Sequence, residues 1–222
     1  SDLQLTNRLI SSETEVAGEK FRTGRISESE WVLIENNVGR LSDAPMYIDD
    51  TPALSLFDFR TKARKMVLRY GIKLIVVDYM QLMTISDTRG ANRQEQVSMI
   101  SRGLKATAKE LNVPIIALSQ LNRSSETRGG EKRPQLSDLR ESGAIEQDAD
   151  LVMFVHRAER VGIMEDSEGN STIGLAEIIM AKHRNGPLVD VPLNFVEHLA
   201  RFQEEDPIIA EDFNGFEEEV PF

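Results

Sequence analysis

The stretch LIVVDYMQL at residues 74–82 decides the fold, because a run of apolar, β-branched side chains ends there on a carboxylate, Asp78. An uninterrupted apolar run of this kind is typical of a strand that is covered on both faces. Two other segments repeat the arrangement: ALSQLNR at 117–123, which contains Gln120, and SDLRESGAIEQDAD at 137–150. Open α/β sheets carry their functional residues just beyond the carboxyl ends of the strands. The three segments therefore predict one site at one edge of a sheet.

Strand-like and helix-like segments alternate along the chain, and this order predicts the fold class. The predicted strands are 46–48, 73–80, 113–118 and 151–155. The predicted helices cover 3–10, a segment that starts at a Ser27-x-x-Glu30 capping box, 55–70 and 97–111. The second helix has an inner face that contains Trp31 and Ile34, and the third has Ser55 as its cap and Gly71 as its stop. Asn185-Gly186 between the strand patterns 175–182 and 188–196 predicts a hairpin. We predict an α/β fold with a doubly wound, mainly parallel sheet and a C-terminal antiparallel hairpin.

Composition restricts the class of protein. The chain has 222 residues, of which 40% are hydrophobic, and its lack of cysteine excludes disulfides and thiolate metal sites. Three histidines, His156, His183 and His198, lack the spacing of a metal site. No apolar run reaches membrane-spanning length and no signal-peptide pattern opens the chain, so we expect a soluble, cytoplasmic protein without a membrane partner.

The net charge of −11 is unevenly distributed along the chain. Residues 203–222 hold eight acidic residues and no Lys or Arg, which leaves −3 for residues 1–202. A nearly balanced body can still gather basic residues along one groove, and local charge governs phosphate binding. We predict one domain at 1–202 and an acidic, disordered tail at 203–222.

Asp78 and Gln120 are candidate nucleotide-site residues, because each closely follows an apolar strand. A carboxylate suits Mg²⁺, which is a hard cation that prefers oxygen ligands. An amide can contact a terminal phosphate and reorient when that phosphate leaves. Each residue also has an ordinary structural interpretation, since an Asp at a strand end caps a loop and a Gln satisfies the local backbone. The residues alone leave both interpretations open.

Residues 137–143, SDLRESG, form the more specific motif. Arg140 offers a planar fork of donors that suits a phosphate oxygen. Gly143 allows backbone N–H groups to approach a ligand closely, and Glu141 can orient Arg140 or a neighbouring donor. The competing interpretation is a solvated, charged turn that precedes the strand at 151–155.

Taken together, these motifs resemble the C-terminal, RecA-like motor domain of bacterial replicative DNA helicases of the DnaB type. The resemblance extends over roughly residues 1–200, and the order of the motifs is preserved. The segments that carry it are RTGR at 22–25, YIDDTP at 47–52, VVDYMQLM at 76–83, SRGLKATAKELNVPIIALSQLNR at 101–123, RPQLSDLRESGAIEQDAD at 133–150 and AKHRNGP at 181–187.

The resemblance implies a ring-shaped homohexamer that hydrolyses ATP between adjacent subunits. Asp78 would then hold Mg²⁺, usually through water, and Gln120 would sense the γ-phosphate. Arg8 matches an early-helix Arg that contacts nucleotide in the family. The residues implied to reach the ATP site of the neighbouring subunit are Lys182, His183 and Arg184. Of these, His183 stands where relatives often have Gln.

The resemblance also implies partners. The ring would encircle single-stranded DNA and unwind the duplex ahead of the replication fork, with primase and a helicase loader as protein partners. Arg140, Glu141 and Gly143 match the residues that hold the phosphodiester backbone of the single strand. Such contacts position DNA without reading its sequence.

Two departures from the family pattern concern upstream segments. The chain contains no G-x-x-x-x-G-K-[ST] phosphate loop, and it lacks the catalytic Glu and the N-terminal domain of the family. We interpret Ser1 as a fragment boundary and the fold as truncated on its N-terminal side, which leaves exposed sheet edges. Without the loop lysine, ATP should bind poorly. We therefore expect the isolated chain to have no measurable ATPase activity.

The tail ends in EEEVPF at 217–222. It resembles the acidic tip of bacterial single-strand-binding protein, which docks its final Phe and carboxylate on partner proteins. Receptors of such a tip are therefore candidate partners, and the alternative is a solvated tail that aids solubility.

Two other functions remain open for the whole chain. The first is a RecA-like ATPase that remodels proteins or acts as a clock without a DNA track. The second is a non-catalytic fragment that serves in oligomerisation or partner docking. A change of Arg140 to Ala separates the first from a helicase, and a nucleotide titration separates the second.

Overall fold

The computed structural model describes residues 2–85, 92–122 and 132–204, with the backbone alone at residues 2 and 140–143. The chain divides into two compact units. The first contains the residues up to Asp50, Val155–Ile179 and the described residues from Asp190 onward; the second contains Thr51–Phe154 and Met180–Val189. No helix among the described ranges is long and apolar enough to cross a membrane.

The secondary structure of the described ranges is α/β. The α-helices are α1 Asp2–Thr14, α2 Gly18–Thr23, α3 Glu28–Asp43, α4 Leu56–Tyr70, α5 Arg93–Leu111 and α6 Gly143–Asp148. The strands are β1 Ile75–Val77, β2 Ile115–Ala117, β3 Leu151–His156, β4 Leu175–His183, β5 Asp190–Val196 and β6 Arg201–Glu204. Short 3-10 helices cover Met80–Leu82, Leu136–Ser142, Ala158–Val161 and Glu197–Leu199.

The strands form two sheets. β1 and β2 are parallel neighbours, with Val76 opposite Ile116. The other sheet has the strand order β3-β4-β5-β6, in which the β4–β5 and β5–β6 pairs are antiparallel. The predicted hairpin is therefore present, and β6 extends it by a third strand. Because β6 ends at Glu204, the predicted domain boundary at 202 falls inside a strand; residues 205–222 of the predicted tail lie outside the described residues.

The core of the second unit lies where α4 and α5 cover one face of β1 and β2. Its buried members are Phe59, Ala63, Met80, Met83, Val97, Ile100 and Leu104. Helix α4 begins where the hydroxyl of Ser55 accepts a hydrogen bond from the Asp58 N–H at 3.0 Å, and it ends at Gly71, which has a φ of 65°. A cap of this kind stabilises a helix by about 1 kcal/mol. Both ends of α4 agree with the sequence prediction.

The close approach of α4 and α5 depends on one glycine in α5. A Cβ atom added at Gly103 would lie 2.3 Å from Cδ2 of Leu56, a distance that no real pair of non-bonded carbon atoms adopts. The missing methyl group therefore leaves room for the Leu56 side chain of α4 against α5.

The first unit confirms the two N-terminal helices that the sequence predicts. Ser27 and Glu30 form the predicted capping box at the start of α3. The hydrogen bond from Lys20, followed by those from Ser27, lowers the pKa of Glu30 to about 2. α1 packs against α3, and Ile34 is the buried residue of α3, whereas Trp31 of the predicted inner face is exposed.

Two sequence predictions about strands are wrong. Residues 46–48 form no strand, and their side chains are exposed. The run 73–80 is covered on one face only, since Val76 is 58% exposed and nothing in the described ranges lies over it. The strand is also shorter than predicted, because the chain turns into a 3-10 helix at Met80.

Candidate functional site

The ends of β1 and β2 bring two of the predicted site residues to the same edge of the sheet. Val77 lies opposite Ala117, and the ladder continues past both strands. The Leu118 N–H donates to the Val77 carbonyl at 2.9 Å, and the Met80 N–H donates to the Leu118 carbonyl at 3.0 Å. Asp78 and Gln120 therefore follow adjacent parallel strands at their carboxyl ends, as predicted.

Gln81 clamps these two strand ends together. Its Nε2 donates to the Ser119 hydroxyl at 2.8 Å and to the Gln120 carbonyl at 3.2 Å, and its Oε1 accepts from the Gln120 N–H at 3.4 Å. The guanidinium of Arg93, at the start of α5, donates to the Gln81 carbonyl. No sequence motif points to this role of Gln81, and its signal is limited to a polar side chain within the otherwise apolar segment Met80–Met83.

The clamp uses the backbone of Gln120 and leaves its side chain available. Both Gln120 and Asp78 are exposed. In the part of the chain that the structure describes, Asp78 belongs to no group of three potential metal ligands. A metal at Asp78 would therefore take its remaining ligands from water, a nucleotide or another segment.

The predicted pair Lys182 and Arg184 lies at the end of β4 and the start of the hairpin turn. The ammonium group of Lys182 donates to the carbonyls of Glu146 and Gln147, near the end of α6. The Arg184 N–H donates to the Asp150 carbonyl at 2.9 Å, and Nη1 of Arg184 donates to Oδ1 of Asp150 at 3.0 Å. Both cations are thus attached to the segment 146–150.

Asp150 lies between two cations. Oδ2 accepts from Lys105 of α5, while Oδ1 accepts from Arg184. The hydrogen bond from Lys105, and then the charges of Lys105 and Arg184, hold the pKa of Asp150 below its ordinary value against the opposing effect of burial. Asp150 is therefore ionised at neutral pH. No sequence motif points to this contact between Lys105 and Asp150.

His183 has a structural contact of its own. Its Nδ1 lies 3.1 Å from the Pro187 carbonyl across the turn, and a Cβ added at Gly186 would lie 2.2 Å from Cε1 of the ring. This ring contact stabilises the turn that follows Lys182 and precedes β5, and the predicted nucleotide contact of His183 stays a prediction.

The remaining predicted residues lie in other parts of the molecule. Arg140 and Glu141 are in the 3-10 helix Leu136–Ser142, and Gly143 is the first residue of α6; their side chains are not described. The Asn122 N–H donates to the Asp138 carbonyl at 3.3 Å, so the segment after Gln120 is attached to this helix. Arg8 is exposed on α1 in the first unit.

Comparison with known proteins agrees with this architecture. Residues 1–204 match the family described as DnaB-like helicase C terminal domain. The replicative DNA helicase DnaB of Leifsonia xyli is 46% identical over 205 residues, which are 92% of this chain and 43% of the relative. The DnaB of Geobacillus stearothermophilus is 46% identical over 199 residues, 90% of this chain and 42% of the relative. The chain spans less than half the length of these relatives.

Two solved structures share the fold. One is an ATPase domain that superposes with a TM-score of 0.80 at 34% identity, over 90% of this chain and 69% of that one. The other is a DnaB-like replicative helicase, described together with its interactions with primase, which gives the same TM-score and identity over 90% of this chain and 47% of that one. The predicted RecA-like α/β fold is confirmed.

Proposed function

The chain belongs to the DnaB-like helicase C-terminal domain family, and on this premise we propose that it is the motor part of an ATP-dependent replicative DNA helicase. The whole protein would act as a homohexameric ring that moves on single-stranded DNA and unwinds the duplex at the replication fork. Primase and a helicase loader are the proposed protein partners, receptors of an acidic, Phe-ending tip are proposed for the tail, and the cytoplasm is the proposed location.

The observation that supports this proposal most directly is the shared edge of β1 and β2. Asp78 and Gln120 are exposed there, next to each other in strand order, and the Gln81 clamp fixes the spacing between their backbones. A carboxylate and an amide in this arrangement suit a metal-bound triphosphate. Asp78 would hold Mg²⁺, Gln120 would contact the terminal phosphate, and ATP would supply the phosphoryl group that is transferred to water.

The remaining nucleotide contacts would come from cations. Arg8 is proposed to contact nucleotide, and the neighbouring subunit is proposed to contribute Lys182, Arg184 and His183. Arg184 is the residue proposed to stabilise the charge that develops on the phosphoryl group during transfer. Its exposed position at the hairpin turn supports this role, since a residue that acts on another subunit must lie at the surface.

DNA binding is proposed for Arg140, Glu141 and Gly143. The segment that follows Gln120 joins their helix through the hydrogen bond between Asn122 and Asp138. A change at Gln120 on loss of the terminal phosphate would therefore reach the DNA-binding residues along a short backbone path. This connection supports a motor that moves on DNA over an ATPase without a DNA track.

Substitution of Gln120 by Ala in the full-length protein tests the coupling. We expect unwinding of a forked duplex to fall far more than nucleotide affinity, because the amide is proposed to report on the terminal phosphate. Unchanged unwinding would contradict the proposal.

Substitution of Arg140 by Ala tests the DNA track. We expect weaker binding of single-stranded DNA and a slope of log affinity against log salt that is smaller by about 1, as for the loss of one phosphate contact. An ATPase that works without DNA would show neither change.

The proposed dependence on a phosphate loop is tested with the isolated chain. Because residues 1–222 contain no such loop motif, we expect no ATPase above background from this polypeptide, whereas the full-length protein is active. Turnover by the isolated chain at the rate of the full-length protein would overturn this part of the proposal.

A further inference from the structure

Asp150 makes two contacts with Arg184, the residue proposed to act as an arginine finger by stabilising the charge on the transferred phosphoryl group. Its carbonyl accepts from the backbone N–H of Arg184 at 2.9 Å, and Oδ1 of its carboxylate accepts from Nη1 of the guanidinium at 3.0 Å. The first contact fixes where the Arg184 main chain leaves β4, and the second fixes the direction of the side chain. An arginine at a hairpin turn would otherwise sample many rotamers, at a cost in entropy when it binds.

The contact leaves most of the guanidinium accessible. The Arg184 side chain is 62% exposed even with its Nη1 on Asp150. A guanidinium carries five N–H donors in one plane, so a carboxylate at one nitrogen leaves the remaining donors for a second anion. Among the residues that the structure describes, Asp150 is the one acid that pairs with Arg184.

Lys105 makes this arrangement compatible with a triphosphate. A carboxylate beside an incoming nucleotide would repel its phosphates. Lys105 binds the other carboxylate oxygen, so the group Lys105–Asp150–Arg184 has a net charge of +1. The acid therefore orients the arginine without cancelling the positive charge that a phosphate would meet.

From this geometry we infer that Asp150 is a positioning residue for Arg184, which orients the guanidinium toward the terminal phosphate bound by the adjacent subunit. The inference rests on the proposed function, because it requires Arg184 to act on that phosphate. It also connects the finger to the DNA-binding segment. Asp150 closely follows α6, and Lys182 holds the carbonyls near the end of the same helix, whose first residue is Gly143.

The experiment uses the full-length helicase with the substitutions Asp150→Asn, Asp150→Ala, Arg184→Ala and the double variant Asp150→Ala/Arg184→Ala. The readouts are kcat and KM for ATP with and without single-stranded DNA. Glu110 gives matched controls, Glu110→Gln and Glu110→Ala, because it is also a carboxylate between two cations, Arg60 and Arg64.

We expect Asp150→Ala to lower the DNA-stimulated kcat about tenfold, as for the loss of one charge-assisted hydrogen bond that orients a reacting group. KM for ATP should change less than about twofold, because the ATP site of the same subunit keeps its contacts. Asp150→Asn, which retains an oxygen for Nη1, should lie between Asp150→Ala and the wild type. The double variant should be no slower than Arg184→Ala alone, and both Glu110 variants should match the wild type.

Any other result would contradict either the positioning role of Asp150 or the finger role of Arg184. Full DNA-stimulated activity of both Asp150 variants, while Arg184→Ala is inactive, would overturn the positioning role and leave the proposed function intact. A double variant slower than Arg184→Ala would also overturn it, since the effect of Asp150 would then not pass through Arg184. Full activity of Arg184→Ala would overturn the finger role itself, and the inference with it.

Discussion

Glu110 and Asp150 are two carboxylates of the same unit that lie in nearly identical chemical surroundings. Glu110 accepts from Arg60 and Arg64, and Asp150 accepts from Lys105 and Arg184. In both cases the pKa of the acid is lowered, first by the hydrogen bond from one cation, Arg64 or Lys105, and then by the remaining charges. By their ion pairs alone, the two clusters are equivalent, since each consists of one carboxylate and two cations.

Their difference lies in what the cations are attached to. Both partners of Glu110 come from α4, so the cluster links one helix to the end of α5. The partners of Asp150 come from α5 and from the hairpin turn, and Asp150 also accepts from the backbone of Arg184. The comparison teaches that the function of an ion pair follows from the elements it joins, because the contact energy of exposed pairs is small in either case.

The largest expected contrast is between the arginines. If Arg184 acts on the transferred phosphoryl group as proposed, Arg184→Ala in the full-length protein should lower kcat for ATP hydrolysis about 10³-fold, the effect of removing an arginine finger. Arg64→Ala should leave kcat within about twofold, because its cation serves only the contact between α4 and α5. Steady-state ATPase assays with single-stranded DNA measure both, and equal losses in the two variants would show that the two clusters do not differ in function.

The uncharged contact of Gln81 should respond differently from both ion-pair clusters. Gln81→Ala should lower kcat about tenfold, since it frees the backbone that positions Gln120. This loss should be the same at low and high salt, whereas salt screens the exposed charges around Asp150. Gln94→Ala, at an exposed position of α5, is the matched control and should behave as the wild type. A salt-dependent loss in Gln81→Ala would contradict a purely positional role.

Glu110 and Asp150 should contribute in the same way to the pH dependence of stability. Their pKa values are lower in the folded than in the unfolded protein, so each contributes stability that is complete above about pH 5 and is lost as the pH falls through the folded pKa. Glu110→Gln and Asp150→Asn should therefore each reduce the drop in melting temperature between neutral and acidic pH. A strong response in only one variant would show that the clusters differ in charge coupling as well as in position.

The smallest expected effect is on stability at neutral pH. Glu110→Gln should lower the free energy of unfolding only slightly, as is typical of exposed ion pairs. Denaturant titration of the full-length protein measures this change. A loss as large as that of a buried core substitution would mean that the Glu110 cluster stabilises the unit far more than its exposure indicates.

Local features of the fold could be predicted from the sequence. Helix ends depend on residues within one helical turn, so a short stretch of sequence is enough to predict them. Examples are the capping box of Ser27 and Glu30, the cap at Ser55 and the stop at Gly71. Asp78 and Gln120 could be placed at one edge because consecutive parallel strands of an α/β sheet present the same end.

Features that depend on distant partners could not be predicted. Asp150 meets Lys105 across 45 positions and Arg184 across 34, and a single sequence records neither pairing. The same reason explains why the predicted strand at 46–48 is wrong. Its residues have high strand propensity, but a strand also requires hydrogen bonds from a neighbouring strand, which local sequence does not record. The fold class and the strand-end residues were therefore accessible, and the residues that hold them in place were not.

Gly103 has a practical consequence for engineering this domain. Replacing a glycine inside a helix by alanine usually stabilises a protein by up to about 1 kcal/mol, because it removes backbone freedom from the unfolded chain. Gly39, inside α3, has open space within 4 Å of the position that an added methyl group would take, so it is a suitable target. The same exchange at Gly103 would place a methyl group 2.3 Å from Cδ2 of Leu56, so the Leu56 side chain would have to move. Thermostabilisation that ranks helical glycines by propensity alone would choose both positions, although only the first avoids a clash.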